Sequence, residues 1–188
     1  MAAVEAGADA LGFVFAPGPR QISRETVREI SAHLPPFVAR VGVFVNAPIE
    51  RINETASYCG LDTLQLHGEE TPAYCRSLQY KVIKAFRVRD TGTLEQVKDY
   101  DVGTVLLDTY LPGAAGGTGR CFDWRVAKEL AAARRVILAG GLRPDNVRLA
   151  VETVRPYAVD VSSGVESGGM KDPDKIRLFI QAVRRCWS

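Results

Sequence analysis

The chain has 188 residues, 46% of them hydrophobic and 24% charged, which suits one ordinary globular domain, residues 1–188, with a sizeable core. A net charge of +2 leaves no electrostatic footprint for nucleic acid or for an anionic membrane surface. No apolar run approaches the ~18 residues of a membrane span, and no basic stretch followed by an apolar core marks a secretory leader, so a cytoplasmic protein is expected.

Residues 1–6 read as the end of a helix, with Gly7 as its stop signal. Residues 10–15 form an apolar run of strand length, and 16–21, with Pro17 and Pro19, form a stiff loop. Ser23 has the character of an N-cap for a helix reaching about Leu34, with Val27, Ile30 and Leu34 on one face, and Pro35 and Pro36 break it. A second strand spans 38–45. A helix over 49–59 is closed by Gly60, a short strand covers 63–66, and Pro72 sits at the first position of another helix. Then come a strand at 81–86, a short helix at 93–98, a strand at 104–108, a glycine-rich loop from Thr109 to Arg120, and a helix from Trp124 to about residue 133, with Asp123 as its start signal. A strand at 135–139, a helix from Pro144 to about Val154, a strand at 157–161 and a helix at 173–185 complete the chain.

Seven strands thus alternate with helices at intervals of roughly 20–30 residues, the rhythm of βαβ units in a parallel sheet. The strands read as unbroken apolar runs, which means cover on both faces. An open doubly wound sheet and a (β/α)8 barrel both fit. No Gly-x-Gly-x-x-Gly follows the first strand, which disfavours a dinucleotide fold. The helix end in front of residue 10 favours an α/β (β/α)8 TIM barrel lacking its first β-strand. Cys59, Cys75, Cys121 and Cys186 share no Cys-x-x-Cys spacing and read as free thiols; with only His33 and His67 beside them, no metal site is expected.

In such a barrel, the chemistry gathers at strand ends. Asp108 ends an apolar strand and opens a glycine-rich loop, the place for a proton donor or acceptor, although Asp is also a common strand-end turn residue. Gly140 and Gly141 close the next strand, and Asp160, Ser162, Ser163 and Gly164 surround the end of the one after it. Paired loops of this kind after the last two strands can hold a phosphate on backbone N–H groups and serine hydroxyls; ordinary glycine turns are the alternative. Arg20, in the proline-stiffened loop, is placed to clamp a carboxylate bidentately, or else is one of many solvated arginines. His67, at the end of 63–66, suits a general base or a hydrogen-bonding contact at the mouth, or a ring that merely bonds nearby backbone.

Taken together, several segments resemble the phosphoribosylanthranilate isomerase family, (β/α)8 enzymes of tryptophan biosynthesis. The matching pieces are 7–15, Arg20-Gln21-Ile22-Ser23, 41–46, Gln65-Leu66-His67-Gly68, Leu106-Leu107-Asp108-Thr109, Gly116-Gly117-Thr118-Gly119 with Phe122-Asp123-Trp124, Ala139-Gly140-Gly141-Leu142 with Asn146-Val147, and 159–166. They keep the family's order along nearly the whole chain. The resemblance implies an Amadori rearrangement of N-(5-phosphoribosyl)anthranilate to 1-(2-carboxyphenylamino)-1-deoxyribulose 5-phosphate, with neither metal nor organic cofactor. It implies that Asp108 is the general acid, that Arg20 holds the anthranilate carboxylate, and that Gly140, Gly141, Ser163 and Gly164 grip the phosphate. Asp160 is expected near the sugar hydroxyls. The expected partner is the small phosphosugar substrate, and the expected assembly a monomer or homodimer.

The family's general base is a cysteine in a Lys-x-Cys-Gly motif on the first strand. None of the four cysteines here stands in a matching position, so the base is unassigned. A barrel without that strand would leave two unpaired edges, at 10–15 and 157–161, so the chain as it stands is expected to be marginally folded and self-associating, and inactive for lack of the base, until such a strand is restored. A non-catalytic phosphosugar-binding remnant is the competing reading from another class. A different phosphate-binding barrel, such as an epimerase or an indole-glycerol phosphate synthase, would need a further lysine or metal set that Lys81 and Lys84 do not supply.

Overall fold

A computed structural model describes residues 1–88, 91–108 and 124–186. Seven parallel strands, ordered in the sheet as they are in the chain, alternate with helices, an α/β architecture of the (β/α)8-barrel class with seven strands. Residues cluster into two compact units: Ala3–Ala85 with Tyr100–Gly103, and Phe86–Asp99 with Thr104–Ser188. Among the described residues, no helix is long and apolar enough to cross a membrane.

The first unit follows α1 (Ala2–Glu5), whose exit is turned by Gly7 at φ 95°, a backbone conformation that glycine enters at no steric cost. β1 (Ala10–Val14) pairs with β2 (Ala39–Phe44), β2 with β3 (Thr63–Leu66), and β3 with β4 (Lys81–Arg87), all parallel. Between them run α2 (Arg24–Ala32), α3 (Ile49–Cys59) and α4 (Pro72–Ser77). Local signals set these ends. The Ser23 hydroxyl accepts from the Thr26 N–H at 3.1 Å, Thr71 accepts from Tyr74 N–H at 3.2 Å ahead of Pro72, and Gly60 ends α3 at φ 64°. Phe13, Val27, Phe44, Ile52, Leu64 and Leu66 form the centre of this unit's core, and the rings of Phe15 and Phe44 stack at 5.1 Å. Ile30 and Leu34 pack against that core beside Val27, the face the periodicity marks.

In the second unit, α5 (Thr91–Val97) precedes β5 (Thr104–Asp108), which pairs with β6 (Arg135–Ala139), and β6 pairs with β7 (Ala158–Val159). α6 (Trp124–Ala133), α7 (Val147–Val154) and α8 (Pro173–Arg184) complete the alternation. Val105, Leu106, Leu107, Val136 and Leu138 are all fully buried, as their unbroken apolar pattern requires.

Three details depart from the sequence reading. α7 starts at Val147 rather than Pro144, because the Asn146 side chain accepts from Arg143 N–H at 2.8 Å and donates to Gly141 O at 3.0 Å, holding residues 143–146 as a turn. β7 keeps only two residues in the regular ladder, although Tyr157 N–H and Asp160 N–H still donate to Val136 O and Leu138 O. A hairpin of β8 (Glu166–Ser167) and β9 (Met170–Lys171) stands where a loop is expected, turned by Gly168 and Gly169 at φ 57° and 82°. The glycine-rich loop Thr109–Arg120, Cys121 and the helix-start residue Asp123 lie outside the described residues.

Candidate active site

Within the second unit, three neighbouring strands end side by side. The ladder pairs Asp108, the last residue of β5, with Ala139, the last of β6, and pairs Leu138 with Val159. Asp108, Gly140 and Asp160 therefore leave the sheet at one edge, from adjacent strands. Asp108 is half-buried after three fully buried residues, so its carboxyl stands at the rim of an apolar layer. Its backbone carbonyl accepts from Val88 N–H at 3.0 Å, which ties the strand end down.

Gly140 and Gly141 both adopt positive φ, 86° and 64°, two successive left-handed residues that side chains would strain. Gly164 approaches the loop they open so closely that a Cβ would overlap the Leu142 carbonyl oxygen. The two glycine-bearing loops are thus in contact at Leu142 and Gly164. Ser163 and Gly164 stand in a single 3₁₀ turn (Ser163–Val165), with the Ser163 side chain exposed. Glycine backbone and a serine hydroxyl at such a loop contact suit an anion. Lys171, on the hairpin, escaped the sequence reading. Its ammonium donates to Ser162 O at 2.8 Å and pairs with Glu166 at 2.9 Å, bracing the serine loop. The signal that could have found it is the Gly168-Gly169 turn, which places Glu166 and Lys171 across a hairpin.

Within the first unit, Arg20 is exposed in the loop after β1. That loop folds back on its own strand: Gln21 N–H donates to Gly18 O at 3.1 Å, Ile22 N–H to Val14 O at 3.0 Å, and Gln21 bridges to Val14. His67 follows β3, half-buried, with its N–H donating to Phe44 O at 2.8 Å at the end of β2. Both residues therefore lie at the carboxyl ends of strands in the same parallel set, where this fold class places chemistry. His33, by contrast, is exposed at the end of α2 and bonds its Nδ1 to the Glu29 carbonyl at 2.8 Å. Neither buried thiol is prepared to act as a thiolate base: burial pushes both Cys59 and Cys75 up from the ordinary cysteine range.

The sequence pattern of the N-(5'-phosphoribosyl)anthranilate isomerase family matches residues 1–182. The N-(5'-phosphoribosyl)anthranilate isomerase of Desulforudis audaxviator is 56% identical over 184 residues, 97% of this chain and 90% of that one. The solved phosphoribosyl anthranilate isomerase of Thermotoga maritima is similar in structure, with TM-score 0.90, 46% identity, and coverage of 98% of this chain and 92% of that one. A further solved isomerase, in complex with reduced 1-(o-carboxyphenylamino)-1-deoxyribulose 5-phosphate, gives TM-score 0.88 at 46% identity, covering 98% and 91%.

Proposed function

Because the chain belongs to the N-(5'-phosphoribosyl)anthranilate isomerase family, we propose that its strand-end residues serve that family's reaction, the Amadori rearrangement of N-(5-phosphoribosyl)anthranilate to 1-(2-carboxyphenylamino)-1-deoxyribulose 5-phosphate. The observation that carries the role assignment is the register of β5 on β6, which sets Asp108 beside the strand that opens into Gly140 and Gly141. A sugar phosphate gripped by the β6 and β7 loops would present its ring to the carboxyl on the neighbouring strand end.

Asp108 protonates the ribose ring oxygen as the ring opens to an iminium. Loss of the C2 proton to a base gives the enaminol, which tautomerises to the 2-ketose. Arg20 holds the anthranilate carboxylate. Gly140, Gly141, Ser163 and Gly164 hold the phosphate, Asp160 faces the sugar hydroxyls, and His67 offers a hydrogen bond at the mouth. The base is left without an assignment among the described side chains. The protein acts without a cofactor, as a monomer or homodimer in the cytoplasm.

Asp108→Asn tests the reading. Kinetics in the active isomerase should show kcat lowered ~10²–10⁴-fold, the usual worth of a positioned proton donor, with KM little changed. Near-normal kcat would remove Asp108 from the chemistry.

A further inference from the structure

The strongest unexplained feature lies beneath His67. Lys84 on β4 and Glu70 after β3 are 2% and 4% exposed, and their charged ends meet at 3.1 Å. A buried ion pair is retained at a cost in desolvation, so its geometry is informative. The Lys84 ammonium also donates to Leu66 O at 3.3 Å and Gly68 O at 2.7 Å, the two carbonyls that flank His67, and to Ala85 O at 3.0 Å. Glu70 accepts from Gly68 N–H at 2.9 Å and from Asn46 N–H at 2.7 Å. Asn46, at φ 48°, accepts in turn from Glu69 N–H at 2.7 Å, and Gly68 lies so close to Asn46 that a Cβ would overlap its side-chain oxygen. The peptide groups on both sides of His67 are thereby fixed by one buried pair.

The ring is fixed as well. Gln65, also buried, places its Nε2 at 3.2 Å from His67 Nδ1. An amide nitrogen is a donor only, so Nδ1 accepts and the neutral ring carries its proton on Nε2.

We propose that Lys84 and Glu70 are positioning residues which, with Gln65, hold His67 as an Nε2–H donor at the end of β3. The inference rests on the reading above that His67 meets the substrate. It assigns the histidine a fixed role: a donor to a substrate oxygen rather than a base. Lys84 itself is engaged by Glu70 and by the carbonyls of Leu66, Gly68 and Ala85.

The chain has two histidines, so long-range ¹H–¹⁵N correlation spectra of the imidazoles read each one separately. His33, bonded to a carbonyl through Nδ1, should carry its proton there and serves as the internal control. His67 should show the opposite tautomer, Nε2–H. An Nδ1–H ring, or an even mixture, overturns the proposal. Lys84→Met with Glu70→Leu removes both charges together, so no lone charge is left buried. In that variant His67 should shift to mixed tautomers while His33 stays unchanged and melting remains cooperative. Glu70→Gln, which keeps the shape of the pair, is read in the same way should the double variant unfold. A His67 spectrum unmoved in a folded variant makes the pair merely structural and overturns the proposal. Contact with substrate is tested separately. If His67→Ala leaves KM and kcat unchanged, the reading of His67 at the substrate fails while the tautomer result stands.

Discussion

Arg20 illustrates how much a single residue's role depends on the stiffness of what carries it. Its loop is held by Gly18, Val14 and the bridge at Gln21, so this exposed residue stands on a fixed base. A fork of donors presented in this way gains two charge-assisted bonds when it meets a carboxylate. Arg20→Met keeps the aliphatic stem and removes the fork. If Arg20 holds the substrate carboxylate, KM for N-(5-phosphoribosyl)anthranilate in the active isomerase should rise by the equivalent of ~1.5–3 kcal/mol, with kcat nearly kept, since such a contact would serve the ground and transition states alike. Steady-state kinetics showing both constants unchanged would return Arg20 to the solvated surface. Gly164 is the second instructive residue. A methyl group there overlaps the Leu142 carbonyl, so the two loops must part to admit it. Gly164→Ala should destabilise the fold by ~1–3 kcal/mol, as overpacking does, and weaken phosphate binding at least tenfold. Thermal melting and titration with inorganic phosphate check the two effects; a variant with unaltered phosphate affinity would remove this loop from the grip.

At the scale of elements, β2 and β3 are joined at their entry ends by a side-chain clamp. Arg40 donates from Nε and Nη2 to the two carboxylate oxygens of Asp62 at 2.8 Å each, and its backbone N–H adds a third bond at 2.8 Å. The Arg40 guanidinium holds the Asp62 carboxyl below the usual carboxylate range. A carboxyl depressed on folding contributes stability that is present in full above its unfolded pKa, ~4, and disappears as pH falls through the lower folded value. Both side chains are about a third exposed, so solvent screening limits the gain. Asp62→Asn should therefore cost about 0.5–1 kcal/mol at pH 7, and the gap between the two melting curves should close on acidification below pH 4. A gap that is constant with pH would deny the ion pair any part in it.

Elements signalled by local chemistry were legible in the sequence. Gly60, Ser23 and Pro72 mark helix ends within a few residues of themselves, and the strands 104–108 and 135–139 carry short runs of apolar residues. Pro144 misled for a physical reason: a proline that suits the first turn of a helix suits a turn equally well, and the Asn146 side chain decides between them. The Lys84–Glu70 pair was not legible, because two charges 14 residues apart gain a meaning only when β3 and β4 pair and bury them. Lys171 escaped likewise, since its bond to Ser162 depends on the hairpin between them.

For the whole molecule, the sequence order of seven strands is also their order in the sheet, so the candidate residues fall at carboxyl ends throughout. Asp108, the Gly140-Gly141 loop and Ser163-Gly164 emerge from three successive strands of one unit, and Arg20 and His67 from strands of the other. What the strand pattern alone did not contain is the chemistry, which came from the few polar residues standing at those ends. The central claim is that the chain binds an anthranilate-bearing sugar phosphate for isomerisation. Its most direct test is calorimetric titration of the chain with reduced 1-(o-carboxyphenylamino)-1-deoxyribulose 5-phosphate, beside Arg20→Met and Asp108→Asn. The account predicts one site per chain, binding weakened at least tenfold by Arg20→Met and largely kept by Asp108→Asn. Absence of binding to the parent chain, or equal affinity in all three, would contradict it.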